Sequence, residues 1–356
     1  MFFNLFYFIV LAALGFCAIT PICMYLKKHI ISEYKLKNDV WIYMWILSFI
    51  FTTALYFLLP NFNDLISEIK YIRIFIAFIL SAFIYAAHLL EMRKTEFFVI
   101  CLSSAVATFL IPDNILVFEG NIPFIADRLI IFAGIFLITF FAKILNGMSA
   151  VFALFMLTCL LGISLISLLE GLPLAFGFIA FALTGIWLGF LRYNWYPSEL
   201  FLTDGACTSA GFLLANFFVY SCQEFAGSSM LILCAYLISE IIWVVTRRYI
   251  FRIKEPDFYN NTSYFCAYLK DITVPAILVA IYKIGIINII FAGFQIYSPN
   301  MFSLPVFSVV VNMWLLNTMC NASESKLSLK DVNKAFIQDI KDEVSNIKQS
   351  LEKDKK

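Results

Sequence analysis

Long apolar runs separated by short polar segments constrain this chain more than any other feature of its sequence. Of its 356 residues, 62% are apolar and only 14% are charged, whereas soluble domains carry about 25% charged residues. A run of about 20 apolar residues can cross a bilayer as a helix, because a helix satisfies its backbone hydrogen bonds internally. A transmembrane barrel would show alternating strands of about ten residues, and the runs here are continuous. We therefore predict an all-α polytopic membrane protein.

The apolar runs predict eleven transmembrane helices. The fourth and the eighth are the shortest of these spans. The predicted spans cover residues 2–26, 41–59, 72–90, 97–111, 129–145, 148–168, 172–191, 210–222, 229–246, 272–293 and 302–319. The first span has no basic segment before it and is long for a signal peptide, so we expect it to remain as an uncleaved helix.

Loops that contain lysine and arginine alternate with loops that have few or none, and this alternation predicts the orientation of the chain. Residues 27–37 carry four lysines, and residues 247–270 carry three arginines and two lysines. Residues 112–126 and the loop after the tenth span carry neither. Because cytoplasmic loops are enriched in these residues, we predict that the N-terminus lies outside and the C-terminus lies in the cytoplasm.

A charged tail, residues 320–356, follows the predicted transmembrane domain of residues 1–319. Its apolar residues recur every three or four positions, as they do on one face of a helix. They are Leu329, Val332, Phe336, Ile340, Val344, Ile347 and Leu351. The tail is expected either to lie on the inner leaflet or to pair with a partner, or else to remain solvated. A homodimer is a separate expectation. The net charge of +1 gives no indication of nucleic-acid binding.

Few ionisable residues fall inside predicted spans, where such residues are functional candidates by default. The candidates are His88, Glu240 and Lys283. The alternative is that His88 packs as an ordinary polar residue and that the Lys283 side chain extends to the membrane surface. An unrelated transporter would need Lys283 and Glu240 to face one cavity.

The loop after the seventh span is the most informative segment for function. It contains Asn194 and Pro197, which favour a turn, and it reaches Asp204 immediately before an apolar helix. A carboxylate at this predicted cytoplasmic position is suited to Mg²⁺, which binds through one or two carboxylate oxygens. Alternatively, Asp204 is only the N-cap of the following helix.

This segment resembles the hallmark motif of the polyprenyl-phosphate N-acetylhexosamine-1-phosphate transferases. The family motif is Phe-Asn-x-x-Pro-Ala-x-x-Phe-x-Gly-Asp-x-Gly-Ser, followed by a Gly-Phe-Leu-Leu-Ala helix. The residues that match in register are Tyr193, Asn194, Pro197, Phe201, Asp204 and the Gly211-Phe-Leu-Leu-Ala segment. Thr203 replaces the first glycine, and Ala206-Cys207 replace Gly-Ser.

The resemblance implies a reaction at the cytoplasmic surface of the bacterial inner membrane. Such enzymes use Mg²⁺ to move an N-acetylhexosamine-1-phosphate from a UDP-sugar onto undecaprenyl phosphate, in cell-envelope polysaccharide synthesis. By this resemblance, Asp204 faces the metal and Asn194 lies near the nucleotide.

The other family motifs are eroded, and their aligned positions supply the remaining candidates. The family sequence Asp-Asp-x-x-Asp aligns with residues 87–91 and keeps an acid only at Glu91. The family sequence Asn-x-x-Asp-Gly-x-Asp-Gly aligns with residues 143–150, where Asn146 and Ser149 replace both acids. The Pro-x-x-Asp motif aligns with residues 236–239, one residue before Glu240.

Two sets of site residues follow from the resemblance. The expected catalytic acids are Asp204, Glu91 and Glu240, and the expected substrate-binding residues are Asn194, Asn146, Arg247 and Arg248. Because most family acids are missing, the alternative is an inactive member that binds a lipid phosphate or acts as a membrane scaffold.

Overall fold

The computed structural model describes nine segments of the chain, which cover residues 2–30, 40–58, 68–90, 93–111, 123–222, 227–250, 261–270, 272–297 and 303–321. Within these segments the chain is almost entirely helical and contains no strand. The helices are α1 (Phe2–Ile30), α2 (Val40–Leu58), α3 (Glu68–Leu89), α4 (Arg93–Phe109), α5 (Phe124–Ala142), α6 (Val151–Leu168), α7 (Leu174–Asn194), α8 (Asp204–Cys222), α9 (Gly227–Leu233), α10 (Ala235–Val245), α11 (Ser263–Tyr268), α12 (Val274–Tyr297) and α13 (Ser303–Asn321). A 3₁₀ turn, Lys143–Gly147, follows α5, and a π-helical turn, Thr246–Ile250, follows α10.

The all-α membrane architecture is confirmed by the length and composition of these helices. Eight of the described helices are long and apolar enough to cross a membrane, and nine are if the bent pair α9–α10 counts as one span. The two shortest predicted spans fall on α4 and α8, which do not reach that standard. The count of eleven spans and the orientation of the termini therefore remain predictions.

The predicted ninth span is not one straight helix. The chain bends by 56° between α9 and α10. At the bend, the thiol of Cys159 on α6 lies 3.5 Å from the carbonyl oxygen of Leu233 and donates to it. Gly162 on α6 lets the Leu233 side chain approach, because a Cβ at this glycine would collide with it. A neighbouring helix thus satisfies the backbone group that the bend exposes, as kinked membrane helices require.

Helices α6 and α7 form the centre of the molecule. In the most apolar stretch of each of these two helices, 83% of the residues are buried, compared with 17% in α1 and 22% in α13. The outer helices turn large apolar side chains away from the protein, as Phe57, Phe109 and Phe294 show. A helix that is apolar on all sides suits the core of a membrane protein, and exposed apolar faces suit contact with lipid.

Small residues bring α1 and α7 into direct backbone contact. A Cβ at Gly185 would collide with the backbone of Ala12, and a Cβ at Gly15 would collide with the carbonyl oxygen of Ala182. Membrane helices associate through such close packing, because lipid gives little hydrophobic drive between helices. This contact anchors the first helix to the central pair.

A second apolar core lies among α3, α4, α5 and α8, which pack against one another in sequence around α8. Its buried residues are Ala77, Ile84, Ile100, Ala107, Ile111, Ile131, Ile135, Phe212 and Ala215. These four helices carry charged or polar residues towards both of their ends.

Candidate functional site at the polar face

One end of the bundle collects the loops that the charge pattern assigns to the cytoplasm. We call this end the polar face and define it by the segment 143–150, the segment 194–204 and α11. Lys27 at the end of α1 lies 2.5 Å from Glu199, and the Tyr264 hydroxyl of α11 donates to the carbonyl oxygen of Ile144. These contacts join segments that are far apart in the chain, so the predicted loops lie on one side of the structure.

Asp204 and Asn146, which were predicted from two different motifs, are in direct contact. The Asn146 amide nitrogen donates to an Asp204 carboxylate oxygen and to the carbonyl oxygen of Leu202, both at 3.0 Å. Two acceptors therefore fix the orientation of this amide. The contact ties the turn after α5 to the start of α8.

The N-cap alternative for Asp204 is wrong, because the preceding residue makes the capping bond. The Thr203 hydroxyl accepts the backbone N–H of Ala206 at 3.2 Å, which is the usual pattern for an N-cap residue. Asp204 is the first residue of α8. Its half-buried carboxylate lies in the first turn, where the helix dipole favours negative charge.

Asn194 closes the loop that leads into Asp204. Its amide oxygen accepts the backbone N–H of Ala150 at 2.8 Å, and its amide nitrogen donates to the carbonyl oxygen of Leu200 at 2.7 Å. Ala150 has a φ of 67°, a left-handed conformation that is unfavourable for a residue with a Cβ. The hydroxyls of Ser149 and Ser198 are also bonded, at 2.8 Å. We call the side chains of Asn146, Asn194 and Asp204 the Asp204 cluster.

His88 lies against the start of α8, beside Gly205. A Cβ at Gly205 would collide with the His88 ring, so this glycine allows the ring to pack against the first turn of α8. The ring nitrogen Nδ1 is 3.4 Å from a carboxylate oxygen of Glu96. His88 is therefore part of the polar face rather than an isolated residue in a span.

Glu240 forms a second, fully buried group, which we call the Glu240 cluster. One of its carboxylate oxygens accepts the backbone N–H of Ser263 at 3.0 Å, and the other accepts the Ser263 hydroxyl. Tyr236, one turn earlier on α10, is buried and interacts electrostatically with Glu240. Tyr264 lies next to Ser263 and reaches the turn that carries Asn146. Burial, with a contribution from the Glu240 charge, raises the pKa of Tyr264 above its usual value, so its hydroxyl stays protonated and can donate.

The remaining predicted residues lie apart from the Asp204 cluster. Arg247 and Arg248 are half-buried in the π-helical turn after α10, where the Arg247 guanidinium contacts the Cys266 thiol of α11. Lys283 is exposed on α12 while Glu240 is fully buried, so this pair does not share a cavity as a transporter would need. Glu91 and tail residues 322–356 lie outside the described residues.

The described residues do not build a magnesium site by themselves. Among them, no group of three or more His, Cys, Asp or Glu side chains could hold a metal ion. The Asp204 cluster offers one carboxylate, and the amide of Asn146 already donates to one of its oxygens. Mg²⁺ needs nearly octahedral oxygen ligation, so this donor set alone does not fit the ion.

The polar face is basic. Among the described residues at this end, cations outnumber the carboxylates Glu96, Glu199, Asp204 and Glu240. The cations are Lys27, Lys28, Lys94, Lys143, Arg192, Arg247, Arg248 and Lys270. Some of them lie over aromatic rings, with the Lys143 ammonium 4.6 Å from the centre of the Phe140 ring. The face is thus suited to anionic ligands or to an anionic membrane surface.

The sequence identified the residues of the Asp204 cluster and Glu240 as candidates, but it did not identify Ser263 as the partner of Glu240. The family motifs single out Asn146, Asn194 and Asp204, which carry the contacts described above. Ser263 gave no signal, because a serine 23 residues from Glu240 is unremarkable in sequence.

No protein-family model and no curated protein matches this chain.

Proposed function

We propose that this protein is a diverged relative of the polyprenyl-phosphate N-acetylhexosamine-1-phosphate transferases that binds a polyprenyl phosphate without transferring a sugar phosphate to it. The binding site is the polar face, on the cytoplasmic side of a bacterial inner membrane. One observation carries the proposal. The side chains at the family's motif positions are engaged by the protein itself, with Asn194 and Asn146 bonded to loop backbone and Glu240 bonded to Ser263.

Kinship with the family is supported by the way in which two eroded motifs meet. The positions at which the family has its two acids are Asn146 and Ser149, and these contact Asp204 and Ser198 of the other motif. The position of the family's final glycine is Ala150, whose φ of 67° is a conformation that glycine adopts most easily. The motif register is therefore consistent with the local backbone.

The proposed loss of sugar-phosphate transfer is supported by the side chains that are present as possible metal ligands. Joining a nucleotide sugar to a lipid phosphate brings like charges together, and metal ions or basic groups must offset the repulsion. Asn146 and Ser149 cannot replace carboxylates as anionic metal ligands. Glu240 is fully buried and both of its oxygens accept bonds from Ser263, so it does not supply the missing acid at the surface.

Retained binding is supported by the charge and the position of the polar face. Lys143 and Arg192 lie at helix ends beside the central helices, where a lipid headgroup at the inner leaflet would meet the protein. A polyprenyl phosphate keeps its chain in the bilayer and presents one anionic group at that level. Basic residues near an anionic membrane surface contribute about 1 kcal/mol each.

The test combines a transfer assay with a binding assay on the same purified chain in lipid nanodiscs. Radiolabelled UDP-N-acetylhexosamines are supplied with Mg²⁺ and undecaprenyl phosphate, and the lipid fraction is counted. Binding of labelled undecaprenyl phosphate is then measured for the parent chain and for Lys143→Gln. Lys283→Gln is the control, since it removes an equivalent charge away from the polar face.

The proposal predicts no labelled lipid product, measurable binding, about fivefold weaker binding in Lys143→Gln and unchanged binding in Lys283→Gln. A labelled lipid product that disappears in Asp204→Asn would instead establish an active transferase. Absence of both product and lipid binding would contradict the proposal and leave a scaffold role.

A further inference from the structure

A buried cavity lies beside the bend between α9 and α10. Leu233, the last residue of α9, lines it together with Thr158 of α6, Tyr236 of α10 and Asn288 of α12. Thr158 and Asn288 lie near the middle of their helices, so the cavity is inside the membrane-spanning part of the protein. We call it the bend cavity.

The bend cavity is lined by polar side chains although it lies at the depth of the lipid chains. Thr158 is 7% exposed, Tyr236 is 3% exposed and Asn288 is 2% exposed. A polar group that is removed from water costs free energy unless it is hydrogen-bonded, and the lipid offers no partner. The hydrogen bonds of these three side chains therefore need to be accounted for one by one.

The protein satisfies these three side chains only in part. The Asn288 amide oxygen accepts the Ser308 hydroxyl of α13 at 2.9 Å, and the nitrogen of the same amide carries two donors. The Thr158 hydroxyl donates to a carbonyl oxygen of its own helix at 3.0 Å, so its oxygen can still accept. Within the described residues no atom is in hydrogen-bonding geometry with the Tyr236 hydroxyl, although Tyr236 interacts electrostatically with Glu240.

The size of the bend cavity limits what can occupy it. The centre of a water molecule has about 10 Å³ in which to lie, which is the lower limit for one buried water. Gly285 keeps the cavity narrow, because it brings α12 so close to α6 that a Cβ at this position would collide with the Thr158 side chain. The cavity therefore has room for a water molecule and not for a larger ligand.

We propose that the bend cavity is a hydration site, in which one water molecule is bound by Tyr236, Asn288 and Thr158. The water accepts a hydrogen bond from the Asn288 amide, donates to the Thr158 oxygen and bonds to the Tyr236 hydroxyl. Three partners are typical of a buried water, which usually bridges polar groups that the protein leaves unsatisfied. The water joins α6, α10 and α12 at the bend, and the inference does not depend on the function proposed for the polar face.

Radiolytic footprinting of the purified chain in lipid nanodiscs tests this proposal. An X-ray pulse forms hydroxyl radicals from water where the water lies, so a buried side chain beside a bound water is oxidised. Mass spectrometry then measures the oxidation of Tyr236 and of Phe155, which also lines the cavity. Tyr264 is the matched internal control, because it is a fully buried tyrosine outside the cavity lining.

Two variants remove polar partners of the water from the bend cavity. Thr158→Val keeps the shape of the side chain and removes its oxygen, and Asn288→Leu replaces the amide by an apolar group of similar size. Asn216→Leu is the matched control variant, because it removes a buried amide of α8 that does not line the cavity.

We expect several-fold more oxidation of Tyr236 and Phe155 than of Tyr264 in the parent chain. This oxidation should fall in Thr158→Val and in Asn288→Leu and stay at the parent level in Asn216→Leu. If Asn288→Leu does not fold, Thr158→Val carries the test, since it conserves the packing. The proposal is overturned if the two cavity reporters are oxidised no more than Tyr264 in the parent, or if no folded cavity variant lowers their oxidation.

Discussion

Two carboxylates on this protein, Asp204 and Glu240, lie in regions that differ in burial although both were singled out by the same family resemblance. Asp204 is half-buried at the start of α8 and has one oxygen bonded to the Asn146 amide. Glu240 is fully buried, and both of its oxygens accept bonds from Ser263. The first group is partly exposed at the polar face, and the second is fully enclosed by the protein.

The difference shows that two acids singled out by one resemblance need not share a role. A buried carboxylate that holds a backbone N–H contributes to folding, and its removal leaves that donor without a partner. A half-buried carboxylate in a first helical turn contributes less to stability, and solvent still reaches it. Mutations in the Glu240 cluster should therefore mainly lower stability, whereas mutations in the Asp204 cluster should mainly affect ligand binding.

The largest expected effect is at Glu240. Glu240→Ala should lower the free energy of unfolding by about 4 kcal/mol, because the buried N–H and hydroxyl of Ser263 both lose their acceptor. Reversible denaturation of the purified chain in mixed micelles measures this value. Glu240→Gln is the control, since it keeps one acceptor for Ser263 and should lose about half as much. A loss below 1 kcal/mol in the alanine variant would show that the carboxylate does not hold α10 to α11.

The second-largest loss of stability is expected at Asn194, because its side chain bonds to the backbone of two segments. Asn194→Ala should lower the free energy of unfolding by about 2 kcal/mol, as the Ala150 N–H and the Leu200 carbonyl lose their partners. Asn194→Asp keeps an acceptor for Ala150 but turns a buried carboxylate oxygen towards the Leu200 carbonyl, so it should lose at least as much. A clearly smaller loss in Asn194→Asp would show that the bond to Leu200 contributes little. The same denaturation experiment compares the two variants.

Asp204 should contribute least among the predicted acids. Asp204→Asn should change the free energy of unfolding by about 1 kcal/mol or less, since the carboxylate is half-buried and its bond to Asn146 can be replaced by an amide oxygen. Thermal unfolding in detergent checks this, with Glu199→Gln as a surface control. A loss as large as that of Glu240→Ala would remove the distinction between the two regions.

The smallest effect concerns Ala150 and has the opposite sign. Ala150→Gly should raise the free energy of unfolding by about 0.5 kcal/mol. Glycine relieves a left-handed strain of about 1–2 kcal/mol, and the greater freedom of the unfolded chain offsets part of this gain. Ala153→Gly, inside α6, is the control and should destabilise by about 1 kcal/mol. A clear destabilisation by Ala150→Gly would mean that the loop is not held as described.

The sequence predicted the described membrane helices because each is a long apolar run, and the length and composition of such a run are enough to identify the helix. It did not predict the bend in the ninth span, since the bend depends on Gly162 and Cys159 of another helix. In the site, the motif register identified Asn146 and Asp204. It could not identify Ser263, because that contact depends on how α11 folds back towards α10.

The account requires that the polar face lie in the cytoplasm, and cysteine accessibility tests this most directly. Glu199→Cys places a thiol in the exposed loop of the polar face, and Glu170→Cys places one in the turn between α6 and α7 at the other end. The native cysteines set the background in the parent chain. In intact cells, a membrane-impermeant maleimide should label Glu170→Cys but not Glu199→Cys, which should react only after permeabilisation. Labelling of Glu199→Cys in intact cells would contradict the account.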